Sequence, residues 1–366
     1  MNSELSENIE NVNPLGAERV SSLLLRFSIP SIVAMLVSSI YNIVDQYFIG
    51  HNVGNIGNAA TNIAFPFAMI CTAIALLAGI GGASNFNLSM GRGEKETAGY
   101  YIGNAISFLV IVGLLLAVVT KAFLEPLLIL FGSPEDVLPY AKTYVGITSI
   151  GFPFLIFTVG GGHLIRADGS PRTAMICNLS GAIINTIFDY LFVQVMGYGM
   201  AGAAWATVMG QILSAIIGAV YLTHYKTVKV SLEHLKPRFE YMSRIAAIGA
   251  ASFINQLAMM VVQVVLNNSL KYYGALSKYG DYIPISASGI IIKTFQVFFA
   301  VVIGVSQGSQ PIISFNYGAA NYKRVKETFI RSLFAGASVT VTAAILFRVF
   351  PGELLGIFGE DRKSVV

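Results

Sequence analysis

The sequence predicts an all-α polytopic membrane protein, arranged as a two-lobe helical bundle with a parallel internal repeat. The hydrophobic fraction is 55% and the charged fraction 11%, and the mean hydropathy is +0.68, whereas a soluble domain carries roughly 25% charged residues. Nine apolar stretches are long enough to cross a bilayer, which takes about 20 residues in a helix. Two sequence patterns from the first third of the chain also return near its end. These three observations together define the predicted fold class.

The predicted elements begin with a polar segment, residues 1–22, that has no basic stretch ahead of a short apolar core. We therefore expect no cleavable signal, and a cytoplasmic N-terminal segment. Six apolar stretches follow and form the predicted N-terminal six-helix lobe, residues 23–223. The nine predicted spans are 23–49, 57–82, 98–124, 137–165, 172–196, 200–223, 243–270, 284–314 and 325–349.

The longest polar connection runs from His224 to Arg244 and separates six predicted helices from three. We predict a cytoplasmic linker at 224–242 and an incomplete C-terminal lobe at 243–358. If helices 7 to 9 repeat helices 1 to 3, partners for helices 4 to 6 are missing, so we expect a C-terminally truncated chain without transport activity. The last six residues, DRKSVV at 361–366, match the translation of a common sequencing adapter and are expected to be a non-native tail.

The internal repeat consists of two patterns in the same order. GIGGASNFNLSMGRG, from Gly79, returns as GVSQGSQPIISFNYG, from Gly304, with Ser84 matched by Ser309. LLILFGSPED, from Leu127, returns as LLGIFGED. Because six helices separate the copies, the two units have the same orientation and are related by an axis along the membrane normal.

The distribution of basic residues between loops predicts the orientation. Loops on one side carry 13 Lys and Arg, and loops on the other side carry 5. The first side is therefore predicted to be cytoplasmic, with the N-terminus inside. The richer set is Arg92, Lys95, Arg166, Arg172, Lys226, Lys229, Lys236, Arg238, Arg244, Lys323, Arg324, Lys326 and Arg331, and the poorer set is Lys121, Lys142, Lys271, Lys278 and Arg348. Basic residues divided among so many loops make nucleic-acid binding a poor interpretation of the net charge of +4.

Two carboxylates deep in predicted helices are the main candidates for chemistry. Asp45 lies five residues before Gly50, and Asp189 lies eight residues before Gly197. At about 1.5 Å per residue, both are roughly 7 to 12 Å below the exterior surface. Thr207, on the returning helix, reaches the same level.

Asn185 precedes Asp189 by one helical turn and shares its face. Asp45, Asn185, Asp189 and Thr207 thus offer oxygen ligands suited to a proton or a small hard cation such as Na⁺. The alternative is that both acids accept hydrogen bonds and only hold helices together. No other metal site is expected.

Four further residues are candidates for lining a substrate cavity: Tyr41, Gln256, Lys293 and Gln296. Tyr41 precedes Asp45 by one turn and could stack on a cationic ring system, or it could only pack between helices. Gln256 and Gln296 could line a cleft or form interhelical hydrogen bonds. Lys293 could be a structural counter-charge, part of a gate or a snorkelling lysine.

Several long motifs resemble the multidrug and toxic compound extrusion (MATE) family, in its prokaryotic branch related to damage-inducible and staphylococcal-type exporters. NIVDQYFIGHNVG resembles the family's first-helix motif, and NTIFDYLFVQVMGYGMAGAAWATVMGQ its helix 5 to 6 signature. HLIRADGSPRTA resembles the turn after helix 4, and GVSQGSQPIISFNYGAANYKRV the end of helix 8. The likeness runs from about Leu23 to Phe358.

The resemblance implies twelve helices in two lobes and export of amphipathic, often cationic compounds in exchange for H⁺ or Na⁺. It also implies that Asp45, Asn185, Asp189 and Thr207 form the coupling site, with no cofactor. From Ile245 to Leu270 there is no Asp or Glu, so a cation site in helix 7 is not expected. The expected partners are drug-like small molecules and membrane lipid, for a monomer in a prokaryotic plasma membrane.

Two other functions, a flippase and an intramembrane enzyme, fit the sequence less well. A lipid-linked saccharide flippase of the same superfamily would need several Arg or Lys in its cavity to hold a pyrophosphate, and only Lys293 qualifies. An intramembrane enzyme would need paired aspartates or a histidine motif at metal spacing, and none of the four histidines has such a partner. The sequence therefore favours an exporter over a flippase, and either over an enzyme.

Overall fold

The computed structural model describes residues 13–277 and 282–349, without the side chains of residues 55, 267, 271, 275 and 282–294. The described part is helical, and nine of its helices are long and apolar enough to cross a membrane, as predicted. The helices are α1 (Pro14–Ala17), α2 (Val20–Asn52), α3 (Asn55–Gly91), α4 (Lys95–Ala122), α5 (Leu124–Leu130), α6 (Leu138–Ala167), α7 (Pro171–Asp189), α8 (Gly199–Thr223), α9 (Phe239–Ala275), α10 (Tyr282–Gly318) and α11 (Tyr322–Val349).

Most membrane helices are longer than their apolar stretches. The apolar stretch at 57–82 lies within α3, which continues to Gly91, and the stretch at 243–270 lies within α9, which begins at Phe239. Hydropathy detects only the part of a helix that lies in hydrocarbon, whereas a helix continues until a cap or a turn ends it. The short helix α1 lies outside every predicted span, and α5 shares only Leu124 with one of them.

The first six membrane helices form one bundle around a continuous apolar core. In it, α3 and α4 pack on α6, α6 and α7 pack on α8, and α2 packs on α7. The core contains residues from α2 to α9, including Phe67, Leu109, Ile156 and Ile245. The first bundle therefore builds most of this interior, and the start of α9 completes it.

Of the later helices, α9 and α10 lie against the first bundle more than against each other, whereas α11 packs mainly on α10. α9 packs mainly on α3, and α10 packs on α2 and α3, while α9 and α10 share few contacts. We call the contact of α10 with the basic-loop halves of α2 and α3 the seam; it includes Ser28, Leu88, Gly308 and Gly318. A side chain at Gly308 would overlap Ser28, and one at Gly318 would overlap the Leu88 backbone, so these glycines allow the close approach.

The repeat is visible in the two helices that end at its first pattern. α3 and α10 are each 37 residues long. Ser84 in α3 and Ser309 in α10 are both buried. The Gln310 amide crosses the seam, donating through Nε2 to Ser84 Oγ at 3.1 Å and contacting His163 Nδ1 through Oε1 at 3.2 Å.

The segment between α8 and α9 is anchored to the first bundle. Asp168, buried at the end of α6, accepts hydrogen bonds from the backbone nitrogens of Lys226 at 2.8 Å and Thr227 at 3.0 Å. Asn104 in α4 accepts one from the Arg238 nitrogen at 2.7 Å. The segment thus covers one end of the first bundle and stays attached to it up to the start of α9.

Candidate functional site

The close packing of α7 and α8 sets the geometry of the candidate site. A Cβ at Gly210 would lie 2.6 Å from the Gly181 carbonyl oxygen, so only glycine permits this approach. Ser214 Oγ donates across the same contact to the Cys177 carbonyl oxygen at 2.8 Å. The side chains one turn further along α7, toward the exterior, therefore lie directly against the backbone of α8.

Asn185 joins the two helices at this point. With its amide nitrogen directed toward Asp189, Nδ2 donates to Asp189 Oδ2 at 3.2 Å and the amide oxygen accepts from the Thr207 backbone nitrogen at 3.2 Å. Asn185 and Asp189 are buried, and Thr207 is half-buried. The three residues form one layer, as their predicted depths indicated.

Asp45 completes this layer from α2. It is buried, and its carboxyl group lies within hydrogen-bonding range of the Asp189 carboxyl group. The Oδ1 atom of each acid has no hydrogen-bond partner among the described residues, and no described Lys or Arg forms an ion pair with either acid. Two carboxyl groups can bond each other only if one carries a proton, so the pair is suited to a proton or a small cation.

Tyrosines surround the acid pair. Tyr144, on α6, lies near the Thr207 side chain and near both acids. Sequence reasoning missed Tyr144, although its depth was available: it lies seven residues after Val137, the predicted exterior start of its helix. Tyr41 also lies near both acids. Tyr41 thus lies beside the acid pair that forms the candidate ion site.

The other predicted cavity residues are spread over the later helices. The Gln256 amide, in α9, donates to Met69 Sδ in α3 at 3.1 Å, an interhelical contact of the kind proposed as its alternative. Gln296 is exposed on α10. Lys293 also belongs to α10, but its side chain lies outside the described residues. The structure therefore does not bring Gln256 or Gln296 to the acid pair.

The chain changes its winding directly after Asp189. Tyr190–Val195 is a π-helical turn, in which the Met196 nitrogen donates to the Leu191 carbonyl oxygen at 2.9 Å. Such wide turns interrupt α-helices and are frequent at functional sites. Tyr190 at its start contacts the Phe48 ring of α2, with centroids 6.5 Å apart. The turn thus links the end of α7 to α2 beside the acids.

Among the described residues, no group of three or more His, Cys, Asp or Glu could hold a metal ion. The candidate site has two carboxyls, an amide and hydroxyl groups as its polar donors and acceptors. This set lacks the nitrogen and sulfur ligands that transition metals prefer, and it matches hard ions.

Comparison with known families shows to which family the chain belongs. The MatE family model matches residues 30–191 and 251–366, which is most of the chain. The chain belongs to the MatE family. Proteins of this family are membrane transporters, so the chain is a multi-pass membrane transport protein and not an enzyme.

Named relatives of this MatE chain include multidrug exporters. It is 26% identical over 344 residues to the multidrug export protein MepA of Staphylococcus haemolyticus, covering 94% of this chain and 74% of that protein. It is 24% identical over 347 residues to MepA of Staphylococcus aureus (strain MSSA476), covering 94% and 75%.

Solved structures show the same fold. A MOP superfamily transporter from Pyrococcus furiosus superposes with a TM-score of 0.87 at 20% identity, over 96% of this chain and 76% of that chain. An outward-facing multidrug resistance MATE transporter gives a TM-score of 0.86 at 20% identity, over 94% and 75%.

Proposed function

We propose that this MatE chain is the transport protein of a secondary active exporter, which moves amphipathic, cationic organic compounds out of the cell in exchange for H⁺ or Na⁺. The observation that carries the proposal is the contact between the Asp45 and Asp189 carboxyl groups, buried without a described basic partner. Such a pair binds a proton or a small cation because two adjacent negative charges repel each other.

Exchange follows if the bound ion lowers the affinity for the substrate and the bound substrate lowers the affinity for the ion. An ion bound at Asp45 and Asp189 neutralises the pair, which permits α2 to repack against α7 and lowers the affinity for a cationic substrate. By thermodynamic linkage, the substrate weakens ion binding by the same factor. Asn185 and Thr207 supply the further oxygen atoms that Na⁺ would need.

The substrate class rests on charge and on the named relatives. The two buried acids of the first bundle, Asp45 and Asp189, favour a cation over an anion. The staphylococcal relatives are named multidrug export proteins. The excess of basic loop residues supports a plasma-membrane protein with its N-terminus in the cytoplasm.

The test uses the chain extended to the full length of its relatives, of which it covers 74% and 75%. It follows uptake of a fluorescent cation into everted membrane vesicles, which is the direction of export, driven in turn by a pH gradient and by a Na⁺ gradient. We expect Asp45→Asn and Asp189→Asn each to abolish gradient-driven transport, and Asp136→Asn, in an exposed loop, to retain it. A second measurement follows the thermal stability of the purified protein against Na⁺ concentration and pH, which reads the ion site without turnover.

A purely structural role for the acids predicts a different pattern. It predicts misfolded or poorly expressed Asp45→Asn and Asp189→Asn proteins, with coupling intact in any folded remainder. Well-folded variants that still export uphill at near parental rates would refute the coupling role.

A further inference from the structure

The residues that precede the first membrane helix form a compact segment, which we call the latch: residues 13–19, including α1. Asn13 Oδ1 accepts from the Leu15 nitrogen at 3.0 Å, and Pro14 occupies the first helical position. Both are favourable at a helix start. The Glu18 nitrogen donates to the Pro14 carbonyl oxygen at 3.0 Å and closes the turn, so the latch has a defined shape of its own.

The apolar side of the latch inserts between helices on both sides of the seam. Leu15 is 4% exposed. It packs in a separate apolar cluster with Leu23 and Phe27 of α2 and with Ile312 and Phe315 of α10. One leucine thus contacts the first bundle and the later helices at once.

The polar side of the latch is held by two side chains of the later helices. Arg324 Nη2, from α11, donates to the carbonyl oxygens of Leu15 at 3.1 Å and Glu18 at 2.6 Å. Asn316 Nδ2, from α10, donates to the same Leu15 oxygen at 2.9 Å, and Asn316 Oδ1 accepts from Arg324 Nε at 3.0 Å. A rigid guanidinium fork suits this arrangement because it presents several donors in one plane.

The short connection between the latch and α2 restricts how the latch can move. Only Glu18 and Arg19 separate α1 from the start of α2 at Val20. The latch must therefore follow α2, while its partners Asn316 and Arg324 follow α10 and α11. Any movement that opens the seam between α2 and α10 has to break the hydrogen bonds of Arg324 and withdraw Leu15.

We propose that the latch is a closing device for the basic-loop side of the transporter, and that Arg324 is the positioning residue that holds it shut. Weakening the latch shifts the population from the closed seam toward an open one, because only the closed state makes these contacts. The inference goes beyond the proposed ion exchange, since it concerns the seam and does not depend on Asp45, Asp189 or any substrate.

The test measures access to a cysteine placed in the seam. Cys71 and Cys177 are first replaced by Ala, and Ser84→Cys is added as the reporter; Ser84 is buried and accepts the hydrogen bond of Gln310 across the seam. A membrane-impermeant maleimide is then applied to the basic-loop side of membrane vesicles, and the labelling rate is measured. No gradient or substrate is needed, so the result is independent of the exchange proposal.

Arg324→Ala removes hydrogen bonds on the polar side of the latch, and Leu15→Asp disrupts the packing on its apolar side. We expect each to raise the labelling rate at least about fivefold, as a shift of the closed–open equilibrium requires. The matched control is Arg331→Ala, on the same helix, where Arg331 pairs with Glu327 at 2.9 Å and with no other acid among the described residues; it should label at the parental rate. Monodispersity on size exclusion selects the folded proteins, and Leu15→Asp carries the test if Arg324→Ala does not fold.

Equal labelling rates in the parent and in the folded latch variants would overturn the proposal. A rise as large in Arg331→Ala would overturn it as well, because the effect would then reflect general loosening of α11.

Discussion

Asn185 is the residue that connects the acid pair to α8. Its one amide donates to Asp189 and accepts from the Thr207 nitrogen, so it fixes the Asp189 carboxyl relative to the backbone of another helix. Leucine at position 185 would leave a buried carboxyl oxygen and a backbone N–H without this partner, which is costly in a low-dielectric interior. Position 185 therefore favours an amide for reasons of geometry as well as chemistry.

We predict that Tyr144→Phe weakens ion binding about fivefold, because it removes a hydroxyl that lies near Thr207 and both acids, and one polar contact contributes about 1 kcal/mol. The ion concentration for half-maximal thermal stabilisation measures the effect. Tyr140→Phe is the matched control, since Tyr140 lies one turn away on α6 and is exposed. An unchanged ion dependence in Tyr144→Phe would remove the tyrosine from the site.

The depth of each polar residue along its helix predicted most of this layer. Asp45, Asn185, Asp189 and Thr207 come together as counted from the helix ends, although their role in coupling stays a prediction. Counting residues from the helix ends could not predict two features of the site. The direct contact of Asp45 with Asp189 depends on how α2 packs against α7, and the place of Tyr144 beside the pair depends on how α6 packs against α8.

At the scale of the helices, hydropathy predicted every membrane span of the described chain, because a bilayer imposes one length and one composition on each. It could not predict α1, which is four residues long, or the π-helical turn after Asp189, which depends on how α7, α8 and α2 pack. Hydropathy also could not predict which helices pack against each other. Small residues allow membrane helices to approach closely, but they are too common to indicate which helices meet.

We predict that Gly210→Ala destabilises the protein by about 1–3 kcal/mol, as expected for overpacking, because the new methyl group would overlap the Gly181 carbonyl oxygen. It should also weaken ion binding by separating Asn185 from Thr207. Gly161→Ala is the control, since a Cβ there meets only Leu222, at 3.8 Å. Thermal unfolding in detergent compares the two, and equal midpoints would contradict the packing argument.

At the scale of the whole molecule, the later helices are joined to the first bundle by the packing of α9 on α3, by the seam and by the latch. The connecting segment is itself held by Asp168 and Asn104. The start of α9 is also bound to the first bundle, because Asn85 Nδ2 donates to the Arg244 carbonyl oxygen at 3.2 Å. The connecting segment therefore allows little relative movement between the two groups of helices.

We predict that a reconstituted exporter transports a monovalent cationic dye at least about tenfold faster than an anionic dye of the same size and hydrophobicity. An anion near Asp45 and Asp189 has no compensating charge among the described residues, and like charges in a poorly hydrated space repel strongly. Parallel efflux measurements with the matched pair test this. Comparable rates for both dyes would contradict the proposed charge selectivity.

The length of α3 and α10 has a consequence for the surrounding lipid. A 37-residue helix is about 55 Å long, whereas the hydrocarbon layer is about 30 Å thick. Tilt alone would have to reach about 57° to hide the excess, beyond the usual range of up to about 40°. Both helices must therefore project among the lipid headgroups, and bilayer thickness becomes a physical variable that acts on the seam at their ends.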